Sequence, residues 1–191
     1  MAQALLLIDL QNDYFPGGRF ELVGIDAVSQ AAAELLDRFR SQRLPLVHVR
    51  HIFADPAAPF FAPNTPGIEI HAAVAPVAGE TIITKQFVNS FQQTDLKTTL
   101  DAQGVDSLLI CGAMSQMCVE GTTRAAADLG YRCQVIHDAC ATRDQEFGGR
   151  RISAADVHGT AMSALGFAYA NVLSLAEWRK ASTTAASGTK N

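Results

Sequence analysis

Leu108-Leu109-Ile110-Cys111-Gly112-Ala113-Met114-Ser115-Gln116-Met117-Cys118-Val119-Glu120 is the stretch that decides the fold. Its opening is a continuous apolar run, the pattern of a buried parallel strand. Gly112 begins a short loop. From Met117 the chain reads as a helix start that runs through Ala125-Ala126-Ala127 and stops at Gly130, a good C-cap residue. Strand, tight loop and helix make the repeating unit of an α/β sheet. This unit sets Cys118 at a helix N-terminus, where aligned backbone dipoles favour thiolate over thiol. Taken alone, such a cysteine reads more readily as a small packing residue, so the judgement rests on what other segments bring to it.

The same alternation recurs outward in both directions. Residues 4–8 are an apolar run closed by Asp9, and 28–43 read as an amphipathic helix with Ala32, Leu35, Leu36 and Phe39 on one face. Strands are expected at 44–49 and at 81–84, the second delivering Lys85. A helix at 95–103, closed by Gly104, leads into the strand at 107–111. Downstream the pattern predicts a strand at 131–137, a loop at 138–144, a helix at 151–165 and a last strand at 167–173. Residues 50–79, rich in Pro, Ala and Phe, lack periodicity, as binding loops and lids do. The expectation is one α/β domain over residues 1–178, a doubly wound, mostly parallel six-stranded sheet with helices on both faces. Residues 179–191, mostly Ala, Ser and Thr, read as a frayed C-terminal tail.

Composition narrows the function classes. With 191 residues, 48% hydrophobic and 18% charged, the chain can bury a sizeable core. A net charge of -4 and no Lys/Arg cluster argue against a nucleic-acid surface. No apolar run approaches the roughly 20 residues of a membrane span. Met1-Ala2-Gln3 lacks the basic region of a signal peptide. Cys111, Cys118, Cys133 and Cys140 include no Cys-x-x-Cys pair, so reduced thiols in the cytoplasm are expected.

Ligands of doubly wound sheets sit beyond the carboxyl ends of the strands. Asp9 closes the first strand, Lys85 closes the third, and Cys118 follows the fourth. Asp9 could merely tie its own loop, and Lys85 could be a solvated lysine. Together, an acid, a base and a nucleophile at one rim match the logic of an activated thiol.

Four stretches carry a family likeness: residues 7–15 (Leu-Ile-Asp-Leu-Gln-Asn-Asp-Tyr-Phe), Lys85 with Asn89-Ser90-Phe91, Gly112 through Cys118-Val119, and Thr122-Thr123-Arg124-Ala125-Ala126. On these the chain resembles the isochorismatase-like cysteine hydrolases, which include nicotinamidases and N-carbamoylsarcosine amidases. The resemblance implies a catalytic triad. Asp9 would take the thiol proton and return it to the leaving amine, Lys85 would hold both groups, and Cys118 would form an acyl thioester. It also implies a cis peptide bond between Ala113 and Met114, aiming the N–H of Met114, with that of Cys118, at an oxyanion. Relatives of this kind commonly form homodimers or homotetramers. An oligomer is therefore expected, with a small-molecule substrate as the other partner and neither nucleic acid nor membrane involved.

Departures from the family pattern narrow the chemistry. Nicotinamidases hold a metal with an Asp-x-His pair after the second strand. Here Val47-His48-Val49-Arg50-His51 offers no carboxylate two residues before a histidine, and His71 is isolated. The expectation is no metal and no cofactor, with His48 a core residue. Isochorismatases proper cleave a vinyl ether without the cysteine, so Cys118 points instead to an amide, lactam or carbamoyl group.

The substrate rim is expected to draw on Asn12, Phe15, His51 and Phe53, and on Phe60, Phe61, Gln86, Phe91 and Met117. Their aromatic bias suits a small, flat or apolar group beside the scissile carbonyl. His51, placed beyond the strand end, would orient substrate. Arg50 and Arg143 are candidates for a substrate carboxylate but fit surface or ion-pair roles better. Glu120 reads as a capping-region acid, Ser115 as a loop tie, and Cys111, Cys133 and Cys140 as inert. The alternative reading of the same residues is a thiol-based redox or binding protein, or an isochorismatase or nicotinamidase activity.

Overall fold

Residues of β1 (Ala2–Ile8) alternate between two cores, and this alternation organises the molecule. Leu5 and Leu7 join one cluster, whereas Ala4, Leu6 and Ile8 join the other, as the two-residue period of a strand requires. A computed structural model describes residues 2–187. Its strands are β1, β2 (Leu46–His51), β3 (Thr81–Lys85), β4 (Val105–Ala113), β5 (Arg132–Ala141) and β8 (Ala170–Leu173). They form a parallel sheet in the order β3-β2-β1-β4-β5-β8. Helices α1 (Ile25–Ser41) and α5 (Leu175–Ser187) cover one face. Helices α2 (Leu96–Ala102), α3 (Glu120–Asp128) and α4 (Ala154–Ala168) cover the other.

The chain winds outward from β1 to β3, returns to β4 beside β1, and winds the other way to β8. The switch point between β1 and β4 is where such sheets open a crevice. Close approach there depends on one glycine. Gly112 pairs with Ile8 at φ +130, and a Cβ on it would lie 2.0 Å from the Ile8 carbonyl oxygen.

Several boundaries differ from the sequence expectation. The strand expected at 131–137 continues through the presumed loop to Ala141, because a register irregularity after Ile110 lets Gly112 and Ala113 pair with Cys140 and Ala141. The helix expected from residue 151 begins at Ala154. Before it, β6 (Gln145–Phe147) and β7 (Arg150–Ile152) form a hairpin around Gly148-Gly149, both at positive φ as the tight hairpin turns demand. Ser153 then caps α4 by accepting from the Asp156 N–H. α4 runs on to Ala168, which delays the last strand to Ala170.

The frayed-tail expectation is corrected over 179–187, where α5 is helical; its remainder, 188–191, lies outside the described residues. The reason is a capping box. Ser174 Oγ accepts from the Glu177 N–H, and Glu177 Oε2 accepts from the Ser174 N–H at 2.8 Å. Alanine is also the strongest helix former. Among the described residues no helix is long and apolar enough to cross a membrane.

Residues 52–80 cross the carboxyl rim with two 3-10 turns, Pro66–Ile68 and Ala72–Val74. Two side chains from the segment after β1 fasten this crossing. Gln11, fully buried, donates to the carbonyls of His51 and Ile68 at 2.8 and 2.9 Å and accepts from the His51 N–H at 2.7 Å. Asp13 accepts from the N–H groups of Phe61 and Arg19. Gly67 passes so close that a Cβ there would collide with the Asp13 carboxylate.

Candidate active site

Asp9 follows β1 at φ +53, a left-handed conformation that aspartate tolerates better than most residues, with its N–H given to the Val49 carbonyl. Lys85 ends β3 and pairs in register with His51, the last residue of β2. That corrects the expectation that His51 lies beyond the strand, because Gln11 holds its backbone in line. Cys118 lies within a π turn, Ser115–Val119, in which the Val119 N–H reaches back to the Met114 carbonyl. The Ala113–Met114 peptide bond leading into this turn is cis.

The three side chains meet. Lys85 Nζ lies 2.7 Å from Asp9 Oδ2 and 3.1 Å from Cys118 Sγ, and all three residues are buried. The Asp9 contact is ionic rather than an aligned hydrogen bond, and Asp9 Oδ1 has no donor among the described residues. A third acceptor, His51 Nδ1, stands 3.0 Å from the same ammonium.

Burial sets the protonation states. It pushes the Cys118 thiol up to about 12, with Asp9 adding to the rise and Lys85 only partly opposing it. The thiolate expected from a helix N-terminus is therefore corrected to a neutral thiol at rest. Desolvation of a buried sulfur outweighs both the dipole and the ammonium. Asp9 is held above its usual value by burial, against the pull of Lys85. Burial alone would lower the Lys85 pKa, but Asp9 and Cys118 outweigh it and the net shift is upward. His51 is depressed to about 3, by burial first and then by the Lys85 charge.

Asp9, His51 and Cys118 offer donor atoms within 4.8 Å of one another, a set able to ligate a metal ion. The fit is poor, because the Lys85 ammonium already stands among those atoms. A divalent cation would have to displace a cation that three acceptors hold.

The rim residues divide. His51, Phe53, Phe60 and Phe61 form an aromatic wall, with centroids 4.3 Å apart for His51–Phe53 and 5.0 Å for Phe60–Phe61. Tyr14, which the sequence reading missed, joins it 4.6 Å from Phe61. Its hydroxyl is held well above the ordinary tyrosine value by burial, then by the charges of Cys118, Asp9 and Asp13. Only those neighbours mark it, and no local pattern could.

Asn12 donates to the Pro66 carbonyl, and Phe15 stacks on His71 at 3.6 Å; together they line a separate shallow hollow with Gly17 and Gly18. Gln86 and Met117 are exposed. Phe91 stacks on Tyr131, which precedes β5 at the amino end of the sheet, because the chain turns back after β3.

Other candidates have local partners. His48 is buried and bonded to Glu80 at 2.9 Å. Arg50 donates to Thr84, Arg143 lies over the Phe20 ring, and Glu120 pairs with Arg124. Ser115 bonds His158 at 2.8 Å. Cys133 and Cys140 are pushed up to about 11 and 12 by burial.

The model of the isochorismatase domain matches residues 3–164. The chain belongs to the isochorismatase family. An uncharacterised isochorismatase family protein, YddQ of Bacillus subtilis (strain 168), is 46% identical over 172 residues, 90% of this chain and 96% of its own. Maleamate amidohydrolase of Pseudomonas putida KT2440 is 30% identical over 157 residues, 75% of this chain and 74% of its own. A solved cysteine hydrolase from Pseudomonas syringae pv. phaseolicola 1448A superposes with a TM-score of 0.86 at 27% identity, over 92% of this chain and 89% of that one. This isochorismatase-family chain is thus a hydrolase related to amidohydrolases.

Proposed function

We infer that the protein is a metal-independent cysteine hydrolase that cleaves a small amide, lactam or carbamoyl C–N bond through a thioester on Cys118. The observation that carries this reading is one buried ammonium within 3.1 Å of both a carboxylate and a thiol. A metal ion is not required to prepare the nucleophile, since the proton acceptor is built in.

The resting thiol is neutral, so deprotonation accompanies attack. As Cys118 Sγ bonds to the carbonyl carbon, its proton passes to Asp9, which burial has made a stronger base than an exposed aspartate. Lys85 keeps its charge and steadies the developing thiolate. The N–H groups of Met114 and Cys118 receive the carbonyl oxygen as it becomes an oxyanion. Asp9 then protonates the leaving nitrogen, the C–N bond breaks, and the acyl group stays on sulfur. Water, deprotonated by Asp9, attacks the thioester and releases the acid with the thiol restored.

The aromatic wall of Tyr14, Phe53, Phe60 and Phe61 favours a small, flat or apolar acyl group. A redox-sensor role is less well supported, because sensors need a low-pKa thiol and Cys118 is pushed the other way. We place the chain in the reducing cytoplasm as a homo-oligomer, with Phe167 of α4, 93% exposed, at the contact.

The test is intact-mass trapping of an acyl adduct after exposure to pooled small amides, with ammonia or amine release followed in parallel. Cys118→Ala, Lys85→Ala and Asp9→Asn are expected to abolish turnover. Activity surviving all three would end the triad assignment.

A further inference from the structure

Lys85 has three N–H donors and no acceptor, and its three near neighbours are Asp9 Oδ2, Cys118 Sγ and His51 Nδ1. His51 Nδ1 must therefore present a lone pair to the ammonium. An imidazolium, or the tautomer with its proton on Nδ1, would point hydrogen at hydrogen. The His51 proton is thus confined to Nε2, on the side of the ring away from Lys85. Burial, and then the repulsion of the ammonium, both disfavour charging this ring.

Nε2 is buried and has no hydrogen-bond partner among the described residues. Native proteins rarely leave a buried N–H unpaired without a purpose. Nor is the ring loosely held. Gln11 grips both the N–H and the carbonyl of His51, Phe53 packs 4.3 Å from the imidazole, and Phe61 lies 6.2 Å away. The result is a fixed, neutral, unsatisfied donor, one ammonium away from the nucleophile.

We propose that His51 gives its Nε2–H to an oxygen acceptor on the substrate next to the scissile carbonyl, so that the enzyme selects amides bearing such an oxygen. This deepens the amidohydrolase reading and rests on it. The favoured class is a 2-oxo amide. A substrate presenting a hydrogen-bond donor or a cation at that point meets an N–H with no lone pair and is rejected. A hydrocarbon there leaves the N–H unpaired, the situation in which polar sites discriminate best.

The test uses two planar probes that differ in one group, 2-oxopropanamide (C=O) and methacrylamide (C=CH2), on Cys118→Ala protein, where no chemistry intervenes. Long-range 15N–1H spectra of histidine-labelled protein report the tautomer directly. The expected result is an Nε2–H ring in the unliganded protein whose signal shifts with 2-oxopropanamide. Binding of that probe should be roughly tenfold tighter than that of methacrylamide, the scale of one buried hydrogen bond. The preference should vanish in Cys118→Ala/His51→Phe and partly persist in Cys118→Ala/His51→Gln, which retains an amide donor. An Nδ1–H ring, equal binding of the two probes, or binding of neither overturns the proposal. Turnover of 2-oxopropanamide by the unmutated protein is scored separately. A clear preference without any thioester or ammonia would sink the hydrolase reading and leave the His51 assignment standing.

Discussion

Replacing Lys85 by methionine keeps an unbranched side chain, one atom shorter, and removes the ammonium. Both Lys85 and Asp9 have side chains at 0% exposure, and the ammonium is the only cation in contact with the carboxylate among the described residues. Breaking a buried pair in this way typically costs about 3–5 kcal/mol. A ceiling follows from the carboxylate's escape route, which is to take up a proton. From the ordinary value of 3.8, protonation at pH 7 costs about 4.4 kcal/mol at 1.36 kcal/mol per unit. At pH 5 the same step costs only about 1.6 kcal/mol. An acid whose folded pKa lies above its unfolded one becomes less of a burden as pH falls. The Lys85→Met deficit relative to the unmutated protein should therefore shrink from about 4 to under about 2 kcal/mol between pH 7 and pH 5. Adding Asp9→Asn removes the stranded charge and should restore most of the loss at pH 7. Urea unfolding of the four proteins at the two pH values measures all of this. A pH 7 deficit below about 1 kcal/mol, or one that does not shrink on acidification, would refute the buried ion pair as the heart of the site.

Three further outcomes are expected. His51 has a folded pKa of about 3 against 6.5 for an ordinary histidine, so the stability it contributes is present above pH 6.5 and is lost as pH falls. About 2 kcal/mol should disappear by pH 5, and the urea midpoint of His51→Phe should lack that slope; parallel slopes would contradict it. Gly112→Ala forces a Cβ to 2.0 Å from the Ile8 carbonyl at a φ that side chains avoid. It should cost about 3 kcal/mol or more and impair turnover by parting β1 from β4, and an unchanged melting temperature would be the failure. Light scattering should give two or four times the 20.4 kDa chain, falling toward one chain in Phe167→Glu; a monomeric parent protein would disprove the oligomer.

The sheet and the catalytic rim were legible because each buried strand is an apolar run ending abruptly in a polar residue. Ile8-Asp9 announces itself that way, the short β-branched run 81–84 delivers Lys85 at the sheet edge, and the resemblance supplied Cys118 its role. Two misplaced elements had unused local signals. Ser174-Leu175-Ala176-Glu177 is a capping box, and Gly148-Gly149 marks a hairpin turn. The rim was harder, because contacts there are set by distant partners. Phe91, part of the stretch that carries the family likeness, was expected at the rim, yet the chain turns back and packs it on Tyr131. Tyr14 and Gln11 matter through Phe61, His51 and Ile68, forty and more residues away along the chain. The thiol's state was misread because a helix terminus is visible in sequence and desolvation is not.

A sulfur that keeps its proton at rest has a consequence for the protein's lifetime. It is the thiolate that attacks peroxides and stray electrophiles, and at about 12 the Cys118 thiol forms almost none of it at neutral pH. In the mechanism proposed above the sulfur stays unreactive until a bound carbonyl draws it into attack and its proton passes to Asp9, which lets the residue survive between turnovers.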